Sequence, residues 1–464
     1  MELNPVLKRF AQRAPLPVMA RAVLERCLNA QDLDAWFEGV AQAQYTRSLL
    51  FSSVYELMTQ VVLRQSGSVR AAWLEAEGAV GVSLASVYNK LNGLEVGTSA
   101  ALVAYTAQRA GELIGELPGG AKAPLLAGLT VKVLDGNCLN GRQHRLEVTR
   151  GSTAAPLPGK ALAVLDPALE AITALVPCED GYTQERALLE QVLAYVKCGE
   201  VWVADRNFCT EAFLGALVKR GAHPLVREHG QMRVEPLEAM RLIQPASADE
   251  PAIREQWVQL KAQPDGSAGL KLRRIKIELA EPTRHGETEI YLLSSVPVEV
   301  ADAPALARLY RQRWSIERAF LHLTVQLRCE IDTLSYPPAA LFGLACAMVA
   351  FNVLAVLKAA LRAAHGAEVE HLLSSHAMST HLRAMAESLE VIVDPPDWAV
   401  FRLASLAQMG AWLLEQARLV SLKRYAKAAP RKNKPKPPVK RVHDPKKLHV
   451  SLSRLLAQGT AGAP

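Results

Sequence analysis

The chain has 464 residues, half of them apolar, and a net charge of +7. That length allows two to four domains, each with an ample core, and the composition excludes a wholly disordered or fibrous chain. The seven cysteines, Cys27, Cys138, Cys178, Cys198, Cys209, Cys329 and Cys346, form no CxxC pair. This argues against a zinc cluster or a disulfide scaffold and for a reduced, cytoplasmic protein. Residues Met1 to Pro5 lack a charged start followed by an apolar run, so no signal peptide is expected.

Residues 1 to about 120 are predicted to be helical. Val18–Leu28 is one apolar run, Leu33, Trp36, Phe37 and Val40 recur at helical spacing, and Tyr45–Leu63 carries Leu49, Leu50, Val54, Leu57, Met58 and Val61 on one face. Val69–Asn92 has the outline of a helix-turn-helix: Val69–Glu77, a turn over Gly78–Gly81, then Ser83 as N-cap of Leu84–Leu91. Its second helix carries Ser86, Asn89 and Lys90, which suit a DNA groove and its phosphates. A packed helix pair in an all-helical domain reads the same way.

Strands follow. Leu129–Leu134 is a short apolar strand ending in Asp135, and Arg145–Thr149 and Ala161–Leu165 extend it as a meander. Asp166, before Pro167, reads as a structural turn residue. Tyr182–Lys197 is predicted helical, with Leu188, Leu189, Val192, Leu193 and Val196 as its stripe. Glu200–Ala204 is a strand ending in Asp205-Arg206-Asn207-Phe208, and Thr210–Lys219 a helix. From about 221 to 300, His223–Arg227, Gln256–Leu260, Lys271–Leu279 and Glu289–Ser295 read as strands of a mostly β insertion. A long helix is predicted from Ala303 to about Leu334, ended by Pro337-Pro338.

Ala339–Leu357 is uncharged and long enough to span a membrane. Its richness in Ala, with Gly343, Cys346 and Asn352, favours a helix buried on all sides of a soluble core. Further helices run to about Leu422. Lys423–Lys447 then holds eleven Lys and Arg against Asp444 alone, +10 in a chain of +7, leaving −3 for the rest. This Pro- and Lys-rich tail buries no core and suits salt-dependent contact with a phosphate backbone; a solubilising tail is the alternative.

Two aspartates, Asp135 and Asp205, each follow a short apolar strand. On the long helix, Tyr310, Arg313 and Glu317 fall at i, i+3 and i+7 and share a face. Should the three acids converge, their repulsion demands a neutralising partner, and divalent metal supplies one.

Tyr310-x-x-Arg313-x-x-x-Glu317 resembles the Tyr-Arg-Glu-Lys helix of bacterial insertion-sequence DDE transposases, in the family named after insertion sequence four. Leu134-Asp135-Gly136 and Ala204-Asp205-Arg206-Asn207-Phe208 resemble its two aspartate blocks, and a β insertion of this size is typical of it. The likeness covers about residues 125–360. It implies an α/β fold: an RNase H-like core interrupted by a mostly β insertion, with a helical N-terminal domain and a helical C-terminal region. The divisions expected are 1–120 for DNA binding, 125–220 and 301–365 for the core, 221–300 for the insertion, 366–422 for C-terminal helices and 423–464 for the tail.

The resemblance also implies Asp135, Asp205 and Glu317 as catalytic ligands of two Mg²⁺ ions, with Mn²⁺ as a substitute. Tyr310 and Arg313 would contact phosphate near the cut, and Arg206 is a further candidate DNA contact, beside Asn89 and Lys90 read above from the helix pair itself. Such enzymes bind double-stranded DNA at the terminal inverted repeats of their element. They cut at the ends and join the freed 3′-hydroxyl to target DNA by two-metal phosphoryl transfer, as a homodimer on DNA, in the bacterial cytoplasm at the nucleoid and without a membrane partner. The family's Lys falls at Thr324 here, and Arg328, one turn on, projects from about the same face. That departure leaves open a catalytically impaired, transposase-derived DNA-binding protein.

Overall fold

A computed structural model of the chain describes residues 2–44, 48–140, 146–150, 155–248, 250–260, 269–283, 286–427 and 449–461. Most of the basic tail lies outside the described residues. Eight helices open the chain: α1 (Pro5–Arg13), α2 (Pro15–Leu28), α3 (Ala30–Val40), α4 (Phe51–Val62), α5 (Val69–Glu75), α6 (Glu77–Val80), α7 (Leu84–Asn92) and α8 (Val96–Gly115). Pro5 and Pro15 stand in first turns, where a missing N–H costs nothing. Ser83 caps α7 as expected, its Oγ accepting from Ser86 N at 3.2 Å. The turn between α5 and α7 is not plain, because it holds the one-turn α6. Val69, Ala72, Val87 and Leu91 all enter the main core.

Eleven strands follow: β1 (Thr130–Leu139), β2 (Pro156–Leu157), β3 (Gly159–Asp166), β4 (Ala171–Cys178), β5 (Glu200–Ala204), β6 (His223–Arg227), β7 (Val234–Pro236), β8 (Arg241–Gln244), β9 (Ala252–Leu260), β10 (Lys271–Glu278) and β11 (Glu289–Ser294). Ten strands make one sheet in the order β4-β3-β1-β5-β6-β11-β10-β9-β7, with β8 also on β9. β2 pairs instead with β12 (Val450–Ser451). The pairs β1–β5 and β5–β6 are parallel, while β4–β3–β1 and β6–β11–β10–β9 run antiparallel. The strands expected as an insertion therefore continue the same sheet from β6 outward.

β3 is buried at every position, because helices cover one face of the sheet and shorter turns the other. Alternation sorts its side chains: Ala161, Ala163 and Leu165 join the helical core, Leu162 and Val164 the second core. That second core is closed by α10 (Leu189–Val192), α11 (Glu211–Lys219) and Phe208.

Several expected elements change. Glu147–Arg150 forms a one-turn helix, α9, where a strand was expected, and Arg145 lies outside the described residues. Thr149 closes this turn by donating from its hydroxyl to Leu146 O at 2.7 Å. Around α10, the predicted single helix is a series of short turns. The long helix is broken into α12 (Ala303–Tyr310), a 3₁₀ turn over Arg311–Arg313, and α13 (Trp314–Val325). It stops well short of Leu334, since Arg328 N donates to Val62 O of α4 at 2.8 Å and pulls the chain out of the helix. Pro337-Pro338 begin the next helix, α14 (Pro337–His365), and do not end the previous one.

α14 is the one described helix long and apolar enough to cross a membrane, and 94% of its apolar window is buried. It packs on α2, α4, α8, β3 and β4. Its single amide, Asn352, accepts from Ile172 N at 2.8 Å and donates to Ile172 O at 2.9 Å, tying the helix to β4. The C-terminal helices are α15 (Val369–Leu372), α16 (Ser375–Ile392), α17 (Pro395–Leu403), α18 (Leu406–Leu419) and α19 (Leu452–Ala461).

Candidate active site

Asp135 lies inside β1 and not beyond its end, because antiparallel pairing with β3 continues to Leu139. The parallel pairing with β5 stops at Leu134 opposite Ala204. The next residue on each strand is an aspartate. Asp205 keeps an extended backbone, at φ −71° and ψ 168°. The period of two thus turns Asp135 and Asp205 to the face shared by Val133 and Val203, on the helical core side. Two aspartates sit side by side, pointing at α13, which packs on β1.

Glu317 meets Asp135 through Arg313. A single guanidinium nitrogen, Nη1 of Arg313, lies 2.6 Å from Glu317 Oε1 and 3.4 Å from Asp135 Oδ2. Both carboxylates raise the basicity of Arg313, together with Tyr310, against the opposing effect of burial. The phenol of Tyr310 is nearly buried, and burial pushes its pKa well up, with Arg313 opposing and Asp205 adding. So the sequence-predicted Tyr310, Arg313 and Glu317 do share one face, and that face is turned toward both aspartates.

Burial pushes the Asp135 carboxyl up to about 6; the Gly136 N–H, 2.9 Å from Oδ1, and Arg313 oppose, while Glu317 and Asp205 add to it. The folded pKa then exceeds the ordinary 3.8. Protonation of Asp135 therefore favours the folded state, and that stabilisation is lost as pH rises between these two values. Asp135→Asn is expected to stabilise the metal-free protein at neutral pH, by about 3 kcal/mol at most, and to remove this pH dependence. Urea unfolding in EDTA from about pH 4 to about pH 7 checks it; a constant offset between the two proteins would refute it.

All three acids offer oxygen donors, the kind Mg²⁺ and Mn²⁺ take, and Asp135 already feels the charge of the other two. The donor set fits such an ion in kind. It is not preassembled: among the described residues no three His, Cys, Asp or Glu side chains form a metal-ready group. A guanidinium nitrogen occupies the position between Asp135 and Glu317.

The other expected contact residues are dispersed. Arg206 pairs with Glu287 at 3.2 Å, which also takes Arg227 at 2.5 Å. On α7, Asn89 is exposed, while Lys90 is half-buried with its ammonium 4.7 Å from the Phe37 ring centroid. α7 packs on α4 and α14, with no hydrogen bond or ion pair to the acids among the described residues. Thr324 is exposed and donates to Phe320 O at 3.0 Å. It lines a polar cleft of about 360 Å³ together with Arg64 and Arg328 and two carboxylates, Glu330 and Asp332. Arg328 Nη1 donates to Gly67 O at 2.7 Å, and Arg64 Nη2 donates to Val325 O at 3.0 Å. Each arginine is anchored by one hydrogen bond to a backbone carbonyl, and neither forms an ion pair among the described residues, although Glu330 and Asp332 share the cleft.

Sequence reasoning missed Arg64, which no local pattern marks. It also missed Glu185, whose carboxylate lies against Gly136 where any Cβ would collide with it. A glycine directly after a strand aspartate was the available signal for that close approach.

Comparison with known proteins bears on this site. Residues 155–349 match a family described as the transposase DDE domain. The matched segment contains Asp205 and Glu317 and begins after Asp135; it supports a DDE transposase domain in this chain. Among solved structures, a piggyBac transposase synaptic complex with hairpin DNA aligns over 83% of this chain and 84% of that one, at 10% identity and a TM-score of 0.39. No curated protein matches the chain.

Proposed function

We propose that this protein is an insertion-sequence DDE transposase that cuts at the ends of its element and joins them to target DNA. The observation that carries the reading is the β1–β5 register, which sets Asp135 beside Asp205 on the face that meets Arg313 and Glu317. The strand order β4-β3-β1-β5-β6, antiparallel then parallel, supports an RNase H-like core. Asp135, Asp205 and Glu317 would hold two divalent ions, which supply Lewis-acid stabilisation at phosphorus. Arg313 holds Asp135 and Glu317 in place in the metal-free protein and is positioned to hand its charge to a phosphate. Tyr310, packed beneath it, fixes its direction. The protein would act on nucleoid DNA in the bacterial cytoplasm, as a homodimer on DNA, since two ends must be joined.

Purified protein with Mg²⁺ and a duplex carrying the element's end is expected to give nicked and then joined products. Binding without cleavage would favour the second reading, a catalytically impaired DNA-binding relative, which Thr324 motivates. Arg64 and Arg328 are the cations placed at Thr324. Replacing both by Ala is expected to weaken end binding and to reduce the salt slope of log K by about 2, roughly one for each phosphate contact. An unchanged slope would remove them from the DNA interface.

A further inference from the structure

β6 lies beside β5 in a parallel register that adds a third residue to the row begun by the two aspartates. Ala204 pairs with Val226, as Leu134 pairs with Ala204. The next residues on β1, β5 and β6 are Asp135, Asp205 and Arg227. Leu225 enters the helical core and Val226 the second core, so alternation turns Arg227 to the face that carries both aspartates. Strands stand about 4.8 Å apart, which puts Arg227 one strand from Asp205 and two from Asp135. α12 packs on β6. The Tyr310 phenol at its end, pushed up mainly by burial, feels Arg313, Asp205 and Arg227 together.

Arg227 is held by Glu287. Oε1 of that carboxylate accepts from Arg227 Nη2 at 2.5 Å and from Arg206 Nη1 at 3.2 Å, and Oε2 accepts from the Thr283 hydroxyl at 3.0 Å. Arg206 directly follows Asp205. Arg227 first, then Thr283 and Arg206, hold the Glu287 carboxyl below its usual range against the effect of burial. An oxyanion between two guanidiniums is the arrangement a DNA phosphate would also take. The side chains of Arg206, Arg227 and Glu287 remain 42%, 21% and 29% exposed. Ion pairs this accessible contribute little to stability, so exchanging one oxyanion for another costs little. Phosphates along a DNA strand follow at a rise of about 3.4 Å, so a phosphate at the acids leaves its neighbour within reach of a long side chain on the adjoining strand.

We propose that Arg227 and Arg206 form a phosphate seat beside the acids, and that Glu287 fills it as an internal counter-anion until DNA displaces the carboxylate. This assignment rests on the reading of the three acids as a DNA-cutting site. Glu287 thereby sets a threshold: DNA takes the seat only where its other contacts offset the loss of two ion pairs.

The test measures binding of the full chain, in EDTA so that nothing is cut, to a fluorescent duplex carrying the element's end. Glu287→Gln is expected to bind the duplex about three- to tenfold more tightly than wild type, since two accessible ion pairs no longer compete. On an Arg206→Gln/Arg227→Gln background the same substitution gives no gain, because no seat is left to open. A gain that survives on that background is a general effect of one less negative charge and overturns the proposal, as does Glu287→Gln binding no tighter than wild type. Duplex binding absent from wild type and every variant overturns the DNA reading and the seat with it; binding without the arginine-dependent gain overturns the seat alone. Should Glu287→Gln fail to fold, Arg227→Gln is measured by itself: binding weakened at least about threefold supports the seat, and unchanged binding overturns it.

Discussion

Asp205→Ala is expected to slow the proposed Mg²⁺-dependent cutting of an end-bearing duplex by at least on the order of 100-fold, because loss of even an outer-shell partner costs a metal site up to that much. It does so without unfolding the protein. The Asp205 side chain makes no hydrogen bond or ion pair among the described residues, and only its backbone carbonyl is used, accepting from Phe208 N. A half-buried carboxylate at the C-terminal end of a central strand, beside another carboxylate and without a hydrogen bond or ion pair among the described residues, contributes nothing to stability that its loss would reveal. Cutting rate and thermal unfolding, measured on the same preparations, therefore separate. Equal cutting by variant and wild type would sink the DDE assignment, and a collapse of the fold would show that Asp205 is structural.

Arg273→Met is the largest stability effect expected, a loss of about 3 to 5 kcal/mol. Arg273 on β10 is fully buried. Its Nε donates to Glu255 at 2.6 Å, and its Nη1 donates to Val296 O at 2.8 Å and Ala301 O at 2.7 Å. Its removal strands the Glu255 carboxylate in the core and frees two carbonyls of the segment leading into α12. α12 carries Tyr310, so the candidate catalytic face is tied to this arginine. Denaturant unfolding measures the loss. Arg273→Met with Glu255→Leu should recover most of it, since no charge is then left buried. A single variant within 1 kcal/mol of wild type, roughly the scale of one net hydrogen bond, would show the network to be slack.

Local elements were legible in the sequence, and their long-range pairing was not. β5 and β6 were legible to the residue, because they are short apolar runs, β5 set between Gly199 and Asp205 and β6 following Gly221. β4 was not, since Ala171–Cys178 is a two-sided buried strand with no alternation to see. The strands after residue 221 were visible one by one, but their membership in the core sheet rests on Leu292–Ser294 pairing with Leu225–Arg227, a long-range choice that no local pattern encodes. For the site, the two aspartates and the helix face could be read, because strand and helix periods fix direction. What could not be read was the register that aligns Leu134 with Ala204, or the reach of Arg64 across 261 positions to Val325. Arg313 was read as flanking Glu317; that it also touches Asp135, 178 positions away, depends on packing alone.

α14 has a consequence for how the protein is made. α2, α4 and α8 present their apolar faces to a helix whose first residue is Pro337. On a ribosome adding about 5 to 20 residues per second, some 220 residues separate the end of α8 from the start of that helix, a delay of roughly 10 to 45 s. The opening helices must wait that long with their greasy sides uncovered. Assembly of this core is therefore late and collective.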